Sequence, residues 1–225
     1  MSLLRTDLLL AALALVVFSP RANLQSKVEA PKPAAPPLVS WADLARHPSQ
    51  HLGQRVRIEA QFHSQVESWS PYLTRFGPVA FQAYQFWADE QFPWVKDDYD
   101  SPAARVFASR GTPADFTLAA GTRQQRFALT GVVREVFVDS PWIEIESVTA
   151  LPEQITEGTT IHAARAIELA RQGSWALAVG EFEESLTGGL PPAARKELER
   201  LRDQCKAQQA ELRLPPPGSK RIAPK

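Results

Sequence analysis

Residues 126–148, RFALTGVVREVFVDSPWIEIESV, alternate apolar and polar side chains twice, with Asp139-Ser140-Pro141 between the two runs. A period of two sends successive side chains to opposite faces of a sheet, so the segment predicts two adjacent strands with one face buried. Phe127, Leu129, Gly131 and Val133 share a face, and then Val136 and Val138 carry it on. A slip of one residue would turn every later side chain outward unless an extra residue absorbs it, which predicts a bulge near Arg134-Glu135. Gly131, just ahead of it, allows sharp curvature. In the second run Ile143 and Ile145 face inward while Glu144 and Glu146 face water.

Three earlier segments fit the same period. RVRIEAQFH (55–63) sets Val56, Ile58, Ala60 and Phe62 against a polar face, and PVAFQAYQFW (78–87) begins by alternating Val79, Phe81 and Ala83 before Tyr84, Phe86 and Trp87 crowd both faces. Residues 105–108 give a short third strand. Ser40 ahead of WADLAR, with Asp43 three residues on, predicts a short capped helix that Pro48 and Gly53 bring to an end. Five short strands with a bulge and a mid-strand glycine suit a sheet that closes on itself and so removes most of its exposed edge. The pattern from the short helix through HLGQRVRIEAQF to the quoted stretch resembles the OB-fold, particularly exported bacterial OB-fold domains in which a small helix ending at a Leu-Gly-x-x-Val turn leads into the first strand. The resemblance covers about half the chain. It implies a small five-stranded OB-like β-barrel over 39–152 that binds oligonucleotides, oligosaccharides or proteins on its face and loops.

The candidate stacking groups for such a ligand are Trp69 and Tyr72 in the first inter-strand loop, Tyr84 and Trp87 on the second strand, and Trp94 and Tyr99 beyond it. Stacking on aromatics contributes about 1–3 kcal/mol per base, but it works beside a basic groove. Here Asp89, Glu90, Asp97, Asp98 and Asp100 stand against Lys96 alone, and in the whole chain Lys plus Arg and Asp plus Glu each total 25. Nucleic acid is therefore disfavoured as a partner, and a protein or sugar suits the acidic rim better. Core filling is the commoner role of such aromatics. KDDYDSP (96–102) lacks the glycine turn and terminal glutamate of a calcium loop and reads as a solvated acidic loop.

After Gly158 the period approaches four. Ile161, Ala164, Ile167 and Ala170 (or Leu169) mark one helix face, Gln172-Gly173-Ser174 stops it, and a second helix carries Leu177, Ala178, Phe182 and Leu186. Gly188-Gly189 ends that helix, and Pro191-Pro192 opens a third over 192–213, striped by Leu198, Leu201 and Cys205. Residues 153–213 thus read as a three-helix unit, making the chain β + α in two modules. Within 160–192 the spacing resembles one tetratricopeptide repeat (TPR-like). Ala166 stands at the small position where the first helix admits the second, and Gly173 with Trp175 matches the inter-helix turn. Ala178 stands at the crossing, Phe182 a turn later, and Pro191 at the start of the next element. Ser185 departs from the usual alanine, and an unrelated helix hairpin of like spacing is the alternative. One repeat cannot bury its faces alone, so the unit must pack on its third helix, the barrel or another chain.

At the other end, MSLLRTD precedes 11 apolar residues from Leu8 to Phe18. That run has the length of a signal-peptide core and falls short of the about 20 residues a spanning helix needs. Residues 1–22 therefore predict a signal peptide or, because SPRA is a poor cleavage site, an uncleaved inner-membrane anchor. Either places the rest outside the cytoplasm, periplasmic or extracellular. Residues 23–38, with Pro31, Pro33, Pro36 and Pro37, read as a semi-rigid spacer, and 214–225 as a disordered tail. The single Cys205 forms no intramolecular disulfide and reads as a structural thiol.

No catalytic motif emerges. His47, His51, His63 and His162 lack the spacing of a zinc site, no Cys-x-x-Cys or Gly-x-Ser-x-Gly occurs, and Glu144 with Glu146 is a carboxylate pair whose ordinary meaning is a solvent face. The sequence therefore predicts a non-enzymatic exported binding or scaffold protein, without cofactor, engaging another protein or envelope component. A nucleic-acid or oligosaccharide module using the barrel aromatics is second, and a carboxylate hydrolase third.

Overall fold

The computed structural model describes residues 35–69 and 74–213. The targeting segment, most of the spacer, Tyr72 and the tail lie outside these residues. In chain order come α1 (Trp41–Arg46), β1 (Arg55–Val66), β2 (Phe81–Ala88), α2 (Lys96–Asp100), β3 (Ala104–Ser109), α3 (Pro113–Ala119), β4 (Arg126–Phe137) and β5 (Ser140–Ala150). They are followed by α4 (Glu157–Arg171), α5 (Trp175–Ser185) and α6 (Pro192–Arg213). The strands close in the order β1-β2-β3-β5-β4, with β3 parallel to β5 and the other pairs antiparallel. This is a five-stranded OB-like barrel followed by helices.

Alternation fills the barrel. Val56, Ile58, Ala60 and Phe62 of β1 meet Tyr84 and Phe86 of β2, Val106 and Ala108 of β3, Phe127, Leu129 and Val133 of β4, and Ile143 and Ile145 of β5. Trp41 and Leu44 of α1 join this core, and the Ser40 side chain caps the helix by accepting from the Asp43 amide. The bulge falls where the phase slip requires it, because Val133 pairs with Ile143 and Glu135 with Trp142, leaving Arg134 over. A second irregularity, at Thr130/Gly131, leaves Glu146 over on β5. Gly131 is obligatory there, since a Cβ would stand 2.2 Å from the Glu144 carbonyl oxygen.

Several expectations need correction. β2 starts at Phe81 instead of Pro78, and Val79 is 92% exposed in the preceding turn. The β4–β5 turn is Val138-Asp139, both at positive φ, and Pro141 lies within β5 opposite Val136. Residues 113–119 form an unforeseen helix, α3, capped by Thr112 and opened by Pro113, which sends Ala114 and Leu118 into the barrel core. The acidic stretch is helical at 96–100. The spacer's end is paired to the barrel, with the Val39 amide donating to the Arg57 carbonyl at 2.8 Å and the Arg57 amide to the Pro37 carbonyl at 2.9 Å.

The helices hold a second core of Ala163, Ala166, Ala178, Phe182, Ala194, Leu198 and Cys205. From α4 come Ala163 and Ala166, with Ile167, Leu169 and Ala170 of the predicted face packed against them, whereas Ile161 and Ala164 of that face are exposed. Small residues win this face because they let the helices approach closely. Phe92 and Trp94 of the β2–β3 loop enter the same core, stacked at 5.0 Å. The Ile155 amide donates to the buried Gln61 side chain at 2.5 Å. Arg126, buried at the start of β4, grips Asp89 through Nε (2.9 Å) and Nη2 (2.5 Å) and Glu59 through Nη2 at 2.6 Å, with Glu153 at 3.7 Å. Burial holds the Asp89 carboxyl above its ordinary range even so. The helices thus pack on their own third member and on the barrel. Among the described residues no helix is long and apolar enough to cross a membrane.

Candidate functional site

Two apolar surfaces outside the barrel core have the composition of a binding site, and they differ in what covers them. The first is the outer side of β2, β3 and β5. Alternation that turns Tyr84 and Val106 inward turns Ala83, Phe107 and Trp142 outward, and Phe137 and Phe81 extend the patch. OB-folds commonly bind ligands on this part of the barrel. Here the β1–β2 loop lies over it. Phe76 stacks on Phe107 with centroids 4.2 Å apart and meets Phe81 edge-on at 4.9 Å, and its side chain is fully buried. Trp69 Nε1 donates to the Phe76 carbonyl at 2.7 Å. Glu135, turned out by the bulge, accepts from Thr74 Oγ1 at 2.7 Å and from the Arg75 amide at 3.2 Å, so the loop is pinned at both ends of the patch. A recess of about 240 Å³ remains beside Trp142, edged by Gln85 and Arg105.

This placement settles where the predicted stacking groups lie. Trp69 is part of the cover, half-buried against Phe107. Tyr84 is inside the barrel, its hydroxyl donating to Asp115 Oδ1 at 2.6 Å, and burial followed by that hydrogen bond pushes the phenol above its ordinary range. Trp87 is fully buried, its Nε1 donating to the Asp98 carbonyl at 3.0 Å. Trp94 is buried in the helical core. A planar ligand has no free face to stack on at any of these three, because each indole or phenol ring is already packed on both sides by protein. Tyr99 alone keeps substantial exposure, at 38%. Tyr72 lies outside the described residues. Of the acidic run, Asp98 accepts from the Phe92 amide at 2.9 Å and Asp100 pairs with Lys96. Among the described residues no three His, Cys, Asp or Glu side chains gather to hold a metal ion. Glu144 pairs with Arg134 at 2.9 Å, and Glu146, the extra residue of the bulge on β5, pairs with Arg55 at 2.7 Å.

The second surface is open. At 1.5 Å per residue, α5 with its 11 residues is about 16 Å long and α6 with its 22 about 33 Å. α4 and α6 both pack on α5 and leave a furrow between them, and the last turn of α6 ends beside the α4–α5 turn, with Leu212 next to Gly173 and Leu177. Ile167 and Ala170 of α4, Trp175 and Phe182 of α5, and Leu201 and Cys205 of α6 line a groove of about 520 Å³. A neighbouring recess of about 350 Å³ shares Trp175 and reaches Leu177 and Leu212, which are 64% and 74% exposed. Leu177, expected inside, is thus outside. Gly173 at φ +76 makes the tight turn that seats Trp175 at the groove's end. Arg171, Gln204 and Gln208 supply its polar edge. Burial pushes the Cys205 thiol up, away from the reactive thiolate. The periodicity of each helix was visible in the sequence, but the furrow left between α4 and α6 is a matter of packing that no single helix records.

No family model matches the chain, and no curated protein matches it. Among solved structures, replication protein A of U. maydis bound to ssDNA is 15% identical over 52% of this chain and 72% of its own, with a TM-score of 0.26. A chain described as aspartyl-tRNA synthetase from Leishmania major Friedlin is 9% identical over 71% of this chain and 33% of its own, with a TM-score of 0.37. Likenesses of this size carry no argument about function.

Proposed function

We propose that this chain is a non-enzymatic exported binding protein that holds an apolar segment of another protein in the groove between α4, α5 and α6, with the barrel as its rigid base. The observation that carries the reading is the open groove around Trp175, an apolar concavity of a size that takes side chains of a partner helix or extended peptide. The repeat-like spacing supports it: Ala166, Ala178 and Phe182 are buried at the helix crossing, Gly173 makes the turn, and Pro191 precedes α6. On this reading the unit is a single tetratricopeptide-like repeat, and α6 takes the place of the next repeat's first helix. Export rests on the apolar run from Leu8 to Phe18, with the segment either cleaved or kept as an anchor. An oligonucleotide or oligosaccharide on the β2–β3 face has less support, because Phe76 and Trp69 occupy that face themselves.

The test is site-specific photo-crosslinking in intact cells from position 208 in the groove and, as a control, from position 85 on the barrel. The captured protein is then purified and its affinity measured. Ile167→Glu is expected to weaken binding at least about tenfold, roughly 1.4 kcal/mol. Equal capture from both positions, or an unchanged affinity for Ile167→Glu, overturns the reading.

A further inference from the structure

Where the barrel meets α4, a cleft of about 440 Å³ brings together Pro93 of the β2–α2 loop, Tyr99 of α2, Arg123 of the α3–β4 loop, and Glu157, Thr160 and Ile161 of α4. Arg123 is set in place by aromatic rings: its guanidinium carbon lies 5.1 Å from the Trp87 ring centre and 5.0 Å from that of Tyr99. A cation over two ring faces is held by their quadrupoles while its N–H groups stay free to donate. One of them lies 3.4 Å from Nε2 of His63, whose pKa burial and then Arg123 itself hold below the ordinary value, which favours the neutral ring as a neighbour. The next residue, Gln124, lines the cleft at φ +71, a conformation that L side chains rarely adopt, and its amide is tied to the Phe62 carbonyl at 2.8 Å.

The charges are the informative part. Among the described residues neither Arg123 nor Glu157 forms an ion pair, although both line this one cleft with opposite sign. Two unlike charges that face a shared space without meeting leave room for a ligand carrying both complements. We infer that the cleft binds a small zwitterion, an apolar α-amino acid free or in a short peptide, with its carboxylate on Arg123, its ammonium on Glu157 and its side chain against Pro93, Tyr99 and Ile161. A polyanion such as a nucleotide is opposed by Glu157 and by Asp97, Asp98 and Asp100 on α2, and a simple cation by Arg123. The site is separate from the helical groove, and neither reading depends on the other.

Calorimetric titration of the full chain with L-leucine and with leucyl-leucine tests it. Saturable binding of at least one is expected, the tighter of the two showing whether the site takes a free amino acid or a peptide. N-acetyl-leucine, which lacks the ammonium, and leucinamide, which lacks the carboxylate, should each bind about tenfold more weakly than leucine. Arg123→Gln should abolish binding and Glu157→Gln should weaken it, in proteins whose circular dichroism matches the parent. No heat of binding from either ligand at about 10 mM, or analogues binding as well as leucine, or an unchanged affinity for Arg123→Gln, overturns the inference.

Discussion

The barrel's outer aromatic face and the helical groove are both apolar and both border solvent, yet one is closed and the other open. On the barrel the β1–β2 loop supplies its own rings, Phe76 and Trp69, and Glu135 fastens the loop down. On the helices no segment fills the furrow between α4 and α6, so Trp175, Ile167 and Leu201 keep part of their surface. Composition alone cannot distinguish a face that stabilises the fold from one that is available to a partner. The difference lies in whether the chain has a segment of the right length to cover it, and a covered face gives up binding in exchange for stability.

That contrast can be broken by truncating one ring on each side. Phe76→Ala should cost about 4 kcal/mol, as expected when a fully buried phenylalanine is removed, and should expose the β2–β3 face to a hydrophobic dye. Trp175→Ala should cost no more than about 2 kcal/mol, because its ring is only half-buried. Urea denaturation followed by fluorescence measures both, and equal costs would show that the groove is as much a part of the core as the plug. A somewhat smaller effect sharpens the barrel side. Gly131→Ala forces a Cβ onto the Glu144 carbonyl and should cost about 2–3 kcal/mol, with the loss confined to the barrel's amides in hydrogen exchange if β4 and β5 must part.

The smallest effect is one of pH. His63 has its pKa lowered from the ordinary 6.5 by burial and by Arg123. Above pH 6.5 the ring is neutral in both folded and unfolded chains, so its full contribution is present there. As pH falls below 6.5 the unfolded chain takes up a proton that the folded one refuses, and stability declines until the folded-state pKa is passed. His63→Gln should remove this component when urea midpoints are compared between about pH 7.5 and pH 5.5. The groove is lined by no histidine, and Trp175→Ala should leave the slope as it was.

The strands of the barrel were legible because a two-residue period is a direct record of which face is buried, and even the bulge at Arg134 showed as a break in phase. Short elements were harder. α3 carries a capping threonine and an N-terminal proline, but its seven residues offer a single i,i+4 apolar pair, Ala114 and Leu118, which a period cannot reveal. The first half of the α4 face was misread because bulk was weighed above fit: Ile161 is large and exposed, Ala163 and Ala166 small and buried, while Ile167 and Ala170 further on do pack on the core. The candidate site was least legible of all. Alternation marks Phe107 and Trp142 as outward, but nothing local says that Phe76 will lie on them, or that Arg126 will find Asp89 across 37 positions of chain.

Phe92 and Trp94 leave the barrel in a loop and end inside the helical core. The groove wall at Trp175 and the β2–β3 loop therefore share one core, with these two rings acting as pegs between strands and helices. A helical fragment beginning at residue 153 would lack both pegs and leave Ala163 and Leu198 short of their cover. The helices and the strands are therefore one folding unit at this seam, and dividing them there uncovers both.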